Sequence, residues 1–86
     1  MLSKTVLFHC DESLHMKVVA VLIQKASTFR SSVWLARGER RANAKSLLGV
    51  MSLGIENHME VQVTTDGVDE NEALEAITGY IAHPEV

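Results

Sequence analysis

The sequence predicts an α+β open sandwich, a four-stranded antiparallel sheet with its helices on one face, in the order β-α-β-β-α-β-α. Three features point to it. Met59-Glu60-Val61-Gln62-Val63-Thr64-Thr65 alternates apolar and polar residues, as a strand with one buried face must. Two segments, from His15 to about Ser27 and from 69 to 81, repeat apolar residues at helical spacing. Gly38-Glu39 lies between two short β-forming runs and puts glycine first in a two-residue turn, which suits an antiparallel hairpin. One-sided strands and amphipathic helices then stack as one layer of each.

Residues 4–10, KTVLFHC, are rich in β-formers, with Val6 and Phe8 on one side, and form the first predicted strand. The polar corner Asp11-Glu12-Ser13 follows. Composition leaves the next run ambiguous, since VVAVLI would suit a buried strand. Its length decides for a helix, on which Val18, Leu22 and Ala26 stack at four-residue spacing with Val19 beside them. The opposite side shows Met16, Lys17, Ala20 and Gln24, less polar than a solvated face needs. Ser32–Arg37 reads as a strand with Val33 and Leu35 on one side, and Arg40–Asn43 returns as its partner. Ser46 before LLGVMSLG reads as an N-cap and Gly54 as the stop of a brief second helix. After the strand at 59–65, Asp66-Gly67 turns the chain, and Asp69 with Glu72 forms a capping-box pair. Ala73, Leu74, Ile77 and Ile81 are the buried stripe of the last helix, which Gly79 weakens and Pro84 bounds.

A chain of 86 residues has room for one domain with a modest core, so function is expected at its surface. The net charge of −3 argues against general nucleic-acid binding. Arg37, Arg40 and Arg41 nevertheless cluster; they read as the solvated end of the hairpin, with a phosphate-backbone patch as the alternative. The single cysteine, Cys10, excludes an internal disulfide and fits a reducing cytoplasm. MLSKTVLFHC lacks the basic start and apolar core of a signal peptide, and the longest strictly apolar run, 18–23, is too short for a bilayer. A soluble cytoplasmic protein without membrane insertion is therefore expected.

Ahead of a helix, His15 meets the outward-pointing N–H groups of the first turn, which attract phosphate in particular. It could be a cap, a metal ligand, or a nucleophile carrying phosphate. In the last case Lys17 and the backbone N–H groups of residues 16 and 17 would hold the phosphoryl oxygens. His9 and Cys10 are adjacent on a strand, point to opposite faces and make a poor chelating pair. His58 and His83 read as solvated, and a Cys10–His15 dyad lacks an evident cleft. Ser46 is either a plain N-cap or a phosphorylation site whose added charge the helix start tolerates. There it would repel an acidic partner docking on Leu47, Leu48 and Met51.

The string NAKSLLGVMSLGI at 43–55 closely resembles the regulatory-serine segment of HPr, the histidine phosphocarrier family of the sugar phosphotransferase system. The likeness covers nearly the whole chain, through the strand at 4–10, Leu14-His15, the hairpin, the strand at 60–66 and DENEALEAI at 69–77. It implies an open-faced β-sandwich with three helices. It implies that His15 takes phosphate on Nδ1 from enzyme I and passes it to IIA domains of sugar permeases. It further implies that an HPr kinase/phosphorylase modifies Ser46 and that the modified form is corepressor with a catabolite control repressor. Such a protein carries a covalent intermediate between enzymes, and needs no cofactor or metal. Met16, Ala20, Val21 and Gln24 with Leu47, Leu48 and Met51 would be its docking patch; the alternative for Leu47 and Met51 is a place in the core.

The loop around the histidine departs from the family string G-[LI]-H-A-R-P-A, reading Ser13-Leu14-His15-Met16-Lys17-Val18-Val19. Lys17 keeps the charge of the usual arginine but loses its planar fork. Val18 leaves the helix start less preset than proline would, Met16 replaces a small residue, and Ser13 narrows the backbone freedom of a glycine. The expected function is a phosphocarrier working through His15. Its alternative is a regulatory paralogue of the catabolite-repression type, acting through Ser46 with His15 inactive. A Cys10/His metal-binding module is a third reading.

Overall fold

In a computed structural model, which describes residues 1–10 and 14–84, the elements follow the predicted order. They are β1 (Leu2–Leu7), α1 (His15–Ser27), β2 (Ser32–Arg37), β3 (Arg40–Asn43), α2 (Leu47–Leu53), β4 (Glu60–Asp66) and α3 (Glu70–Ala82). The strands pair antiparallel throughout, in the spatial order β1-β4-β2-β3. Register aligns the apolar rows, with Val6 opposite Val61, and Leu35 between Val63 and Ala42. Val33, Leu35, Val61 and Val63 are buried on that face, while Thr5, Ser32 and Gln62 stand exposed on the other. Alternation thus yields one wet face and one dry face.

The helices cover the dry face. α3 packs on β1 and β4, α2 lies along β3, and α1 packs against both helices. The stripe predicted for α1 is the one it buries, Val18, Val19, Leu22 and Ala26. Leu35, fully buried at the centre of this layer, would leave a cavity costing about 2–5 kcal/mol if cut to alanine. The turn glycine Gly38 has φ +58, a conformation that side chains disfavour. No described helix is long and apolar enough to cross a membrane.

Three local expectations need correction. The first strand runs over 2–7 rather than 4–10. It starts earlier because Leu2 and Ser3 pair with Thr65 and Thr64, and Met1 binds Glu70 through its ammonium group at 2.9 Å. It ends earlier because the backbone changes partners. The Phe8 N–H donates to the Met59 carbonyl, the Phe8 carbonyl accepts the His58 N–H, and the His9 N–H turns to the Ile81 carbonyl of α3. β4 covers 60–66, one residue later than the alternation at 59–65 suggested, because the Met59 N–H closes a turn on Glu56. At α3, Asp69 is the N-cap residue but its side chain makes no cap bond. Its carboxylate instead accepts the backbone N–H groups of Arg30 and Ser31 at 2.9 Å each, and the Ser31 hydroxyl. A tertiary partner has taken the oxygen that the capping box would have used. The corner at 11–13 lies outside the described residues.

Candidate functional site

His15 is the first residue of α1, half-buried, with Leu14 as an N-cap that offers no side-chain bond. No acidic residue occupies the first turn. The N–H groups there lie outside the i→i−4 ladder and keep their partial positive charge. Met16 and Lys17 follow on the exposed side.

The imidazole is fixed by one strong contact: Nε2 lies 2.7 Å from the Ile55 carbonyl oxygen. A carbonyl can only accept, so in the neutral ring Nε2 carries the hydrogen and Nδ1 keeps its lone pair. Phe8 meets the ring edge-on, with centroids 6.3 Å apart and planes at 90°. Cys10, Ile55 and Asn57 complete a hollow of about 460 Å³ beside it, and Asn57 Oδ1 accepts the Cys10 N–H at 3.0 Å. Ile55 reaches this place because α2 stops where predicted. Gly54 takes the left-handed conformation (φ +69) and donates its N–H to Met51. Arg37 Nη1 holds the carbonyls of Leu53 and Gly54, each at 3.1 Å. Of the hairpin arginines, Arg40 and Arg41 are exposed as expected, whereas Arg37 is a half-buried clasp on the end of α2.

Ser46 caps α2 as predicted, its Oγ accepting the Gly49 N–H at 3.1 Å. Leu47, Leu48 and Met51 are 49, 78 and 47 % exposed, so Leu47 and Met51 do not belong to the core. On α1, Met16, Ala20 and Gln24 are exposed and Val21 is half-buried. Leu14, not foreseen as part of this surface, adds a further exposed apolar side chain.

The fold also brings together three residues that the sequence kept apart. The His9 ring meets His58 edge-on at 5.6 Å and stacks on His83 at 6.5 Å. Among the described residues, however, no three His, Cys, Asp or Glu side chains converge as a metal donor set. Sequence reasoning missed both this cluster and the Ile55 acceptor. A main-chain oxygen has no letter in the sequence, and the three histidines lie on separate segments.

Comparison with known proteins agrees with this architecture. The family model described as the PTS HPr component phosphorylation site matches residues 2–83. The HPr-like protein Crh of Bacillus subtilis (strain 168) is 38 % identical over 68 residues, which are 79 % of this chain and 80 % of that protein. The phosphocarrier protein HPr of Neisseria meningitidis is 38 % identical over 68 residues, 79 % of this chain and 76 % of its own. A crystal structure of HPr-C-His from Thermoanaerobacter tengcongensis matches with a TM-score of 0.89 at 34 % identity, covering 94 % of this chain and 91 % of that one. The class so defined is that of the phosphotransferase-system phosphocarriers and their Crh-type regulatory relatives. The chain belongs to the HPr family.

Proposed function

We propose that this HPr-family protein carries a phosphoryl group on Nδ1 of His15 in the cytoplasm, receiving it from enzyme I and delivering it to IIA domains. The observation behind this reading is the bond from Nε2 to the Ile55 carbonyl. With Nε2 protonated, Nδ1 is the nucleophile: its lone pair forms the N–P bond as the donor's bond to phosphorus breaks. Delivery reverses the step. The first-turn N–H groups at residues 16 and 17 and the ammonium of Lys17 stabilise the transferred charge. Lys17 does so as a point charge, without the two-pronged grip an arginine would give.

The outer faces of α1 and α2 form the docking patch: exposed Met16, Ala20 and Gln24 and half-buried Val21 with exposed Leu47, Leu48 and Met51. Flexible methionines on such a surface suit a carrier that meets several partners in turn. Ser46 is a second, regulatory phosphorylation site, reached by an HPr kinase/phosphorylase; there a phosphate opposes the docking of acidic partners and completes a surface for a catabolite control repressor. A purely regulatory role draws support from the Crh likeness and from the altered loop around His15.

Intact mass after incubation with phosphoenolpyruvate and a Gram-positive enzyme I tests the carrier reading. One acid-labile phosphoryl group is expected on the wild type and none on His15→Ala. Equal labelling of both, or of neither, refutes it. Acid-stable labelling from ATP and the kinase, abolished by Ser46→Ala, is expected for the regulatory site.

A further inference from the structure

Arg40 and Arg41 do not contribute to the site described so far. They stand on β3, the edge strand along which α2 lies. With Trp34, Asn43, Ser46 and Gly49 they line a groove of about 490 Å³. Ser46 lines this groove at the start of α2. A Cβ on Gly49 would stand 3.3 Å from Ser46 Oγ and 3.6 Å from Ala42 Cβ, so Gly49 sits between the capping serine and β3.

Both guanidinium groups are available. Arg41 lies 4.3 Å over the Trp34 ring, a contact of modest strength at an exposed position. Arg40 Nη1 reaches the Ser52 carbonyl at 3.5 Å, the outer limit of a hydrogen bond. No carboxylate lines the groove, and the ion pairs among the described residues involve neither arginine. The neighbouring cations are engaged elsewhere. Lys45 Nζ donates to the Phe29 carbonyl at 2.8 Å, and Arg37 clasps the end of α2.

We infer that Arg40 and Arg41 receive the phosphate of phosphorylated Ser46 within the chain, tying the start of α2 to the edge strand. This deepens the reading of Ser46 as a regulatory site and rests on it. A phosphoserine carries close to two negative charges at neutral pH and three acceptor oxygens, and a guanidinium fork matches two of them at once. Arg41 leaves the Trp34 ring to make this contact. Trp34 is the single tryptophan of the chain, so its fluorescence reports the departure. Part of the added charge is thereby neutralised on the β3 side, and a partner that reads the phosphate must share it with the arginines.

The test uses the full 86-residue chain, synthesised with phosphoserine at position 46. It is compared with the same chain carrying Arg40→Gln, Arg41→Gln, both, or Lys17→Gln, and the ³¹P resonance is followed against pH. An unpaired phosphoserine loses its second proton near pH ~6. In the otherwise unaltered chain this midpoint is expected about half a pH unit or more below its value in the double variant. Trp34 emission is expected to change on phosphorylation only where Arg41 is present. Equal midpoints in all chains overturn the inference. So does a shift abolished by Lys17→Gln alone, which would place the phosphate at the histidine loop. Because the phosphate is built in, these outcomes do not depend on a kinase. Absence of ATP-dependent labelling at Ser46 would count against the regulatory reading instead.

Discussion

Replacing Ser46 by alanine and by aspartate separates the two properties of its side chain, the cap and the place for a charge. The hydroxyl accepts the Gly49 N–H at 3.1 Å at the start of a helix only seven residues long. Alanine removes that acceptor and costs about 1 kcal/mol. In a domain of this size such a loss lowers the thermal midpoint by about 4–8 °C. Aspartate supplies another oxygen for the same N–H and adds a negative charge where the helix dipole favours it by about 0.3–1 kcal/mol. Midpoints from far-UV circular dichroism should therefore rank aspartate at or above wild type, with alanine lowest. Phosphoryl uptake from enzyme I should rank differently, with alanine near wild type and aspartate slower. An alanine variant that melts with wild type, or an aspartate variant that falls as far as alanine, would refute the capping argument. Uptake by the aspartate variant at the wild-type rate would refute the claim that charge at this position opposes docking.

Three further expectations test other parts of the structure. His58 is held at φ +68, a left-handed conformation that costs a residue with a β-carbon about 1 kcal/mol; His58→Gly should raise the urea midpoint, and a fall would mean that its contact with His9 outweighs the strain. The Ser31 hydroxyl, and after it the Arg30 N–H, hold the Asp69 carboxyl down at about 2, below the ~4 of an unfolded chain. Its stabilising contribution is therefore present above pH ~4 and lost as pH falls through about 2. Asp69→Asn should flatten the stability profile in that window, and an unchanged slope refutes the assignment. Leu48 is 78 % exposed, so Leu48→Asp should alter stability by no more than about 0.5 kcal/mol. Phosphoryl uptake from enzyme I should nevertheless fall at least about tenfold, a loss of about 1.4 kcal/mol in the transition state; normal uptake would remove α2 from the docking patch.

What could be read in the sequence was whatever depends on near neighbours. The stripe Val18, Val19, Leu22 and Ala26, the Ser46 cap and the Gly54 stop each follow from a few adjacent residues, and the structure reproduces them. The end of β1 did not follow, because His9 leaves the sheet for a carbonyl of α3 more than seventy residues away in sequence. Asp69 carried the local signal of a capping residue, but its carboxylate binds Arg30 and Ser31 across the fold. At the candidate site, the position of His15 ahead of a helix was legible. The partner of its Nε2 was not, because nothing in the letters at 54–57 announces which main-chain oxygen will face the ring.

That partner has a genetic consequence. Any side chain can replace Ile55 and its carbonyl oxygen is still there, so an alanine scan can find the histidine and miss the group that orients its ring and selects the neutral tautomer. Only a change that rotates the peptide plane reaches it. Two positions can do so: Gly54, where an added Cβ would stand 3.1 Å from Arg37 Nη1, and Arg37 itself, which grips the two carbonyls before Ile55. Alleles at 37 and 54 should therefore phenocopy loss of the histidine, although one lies on a strand of the hairpin and the other at the end of a helix.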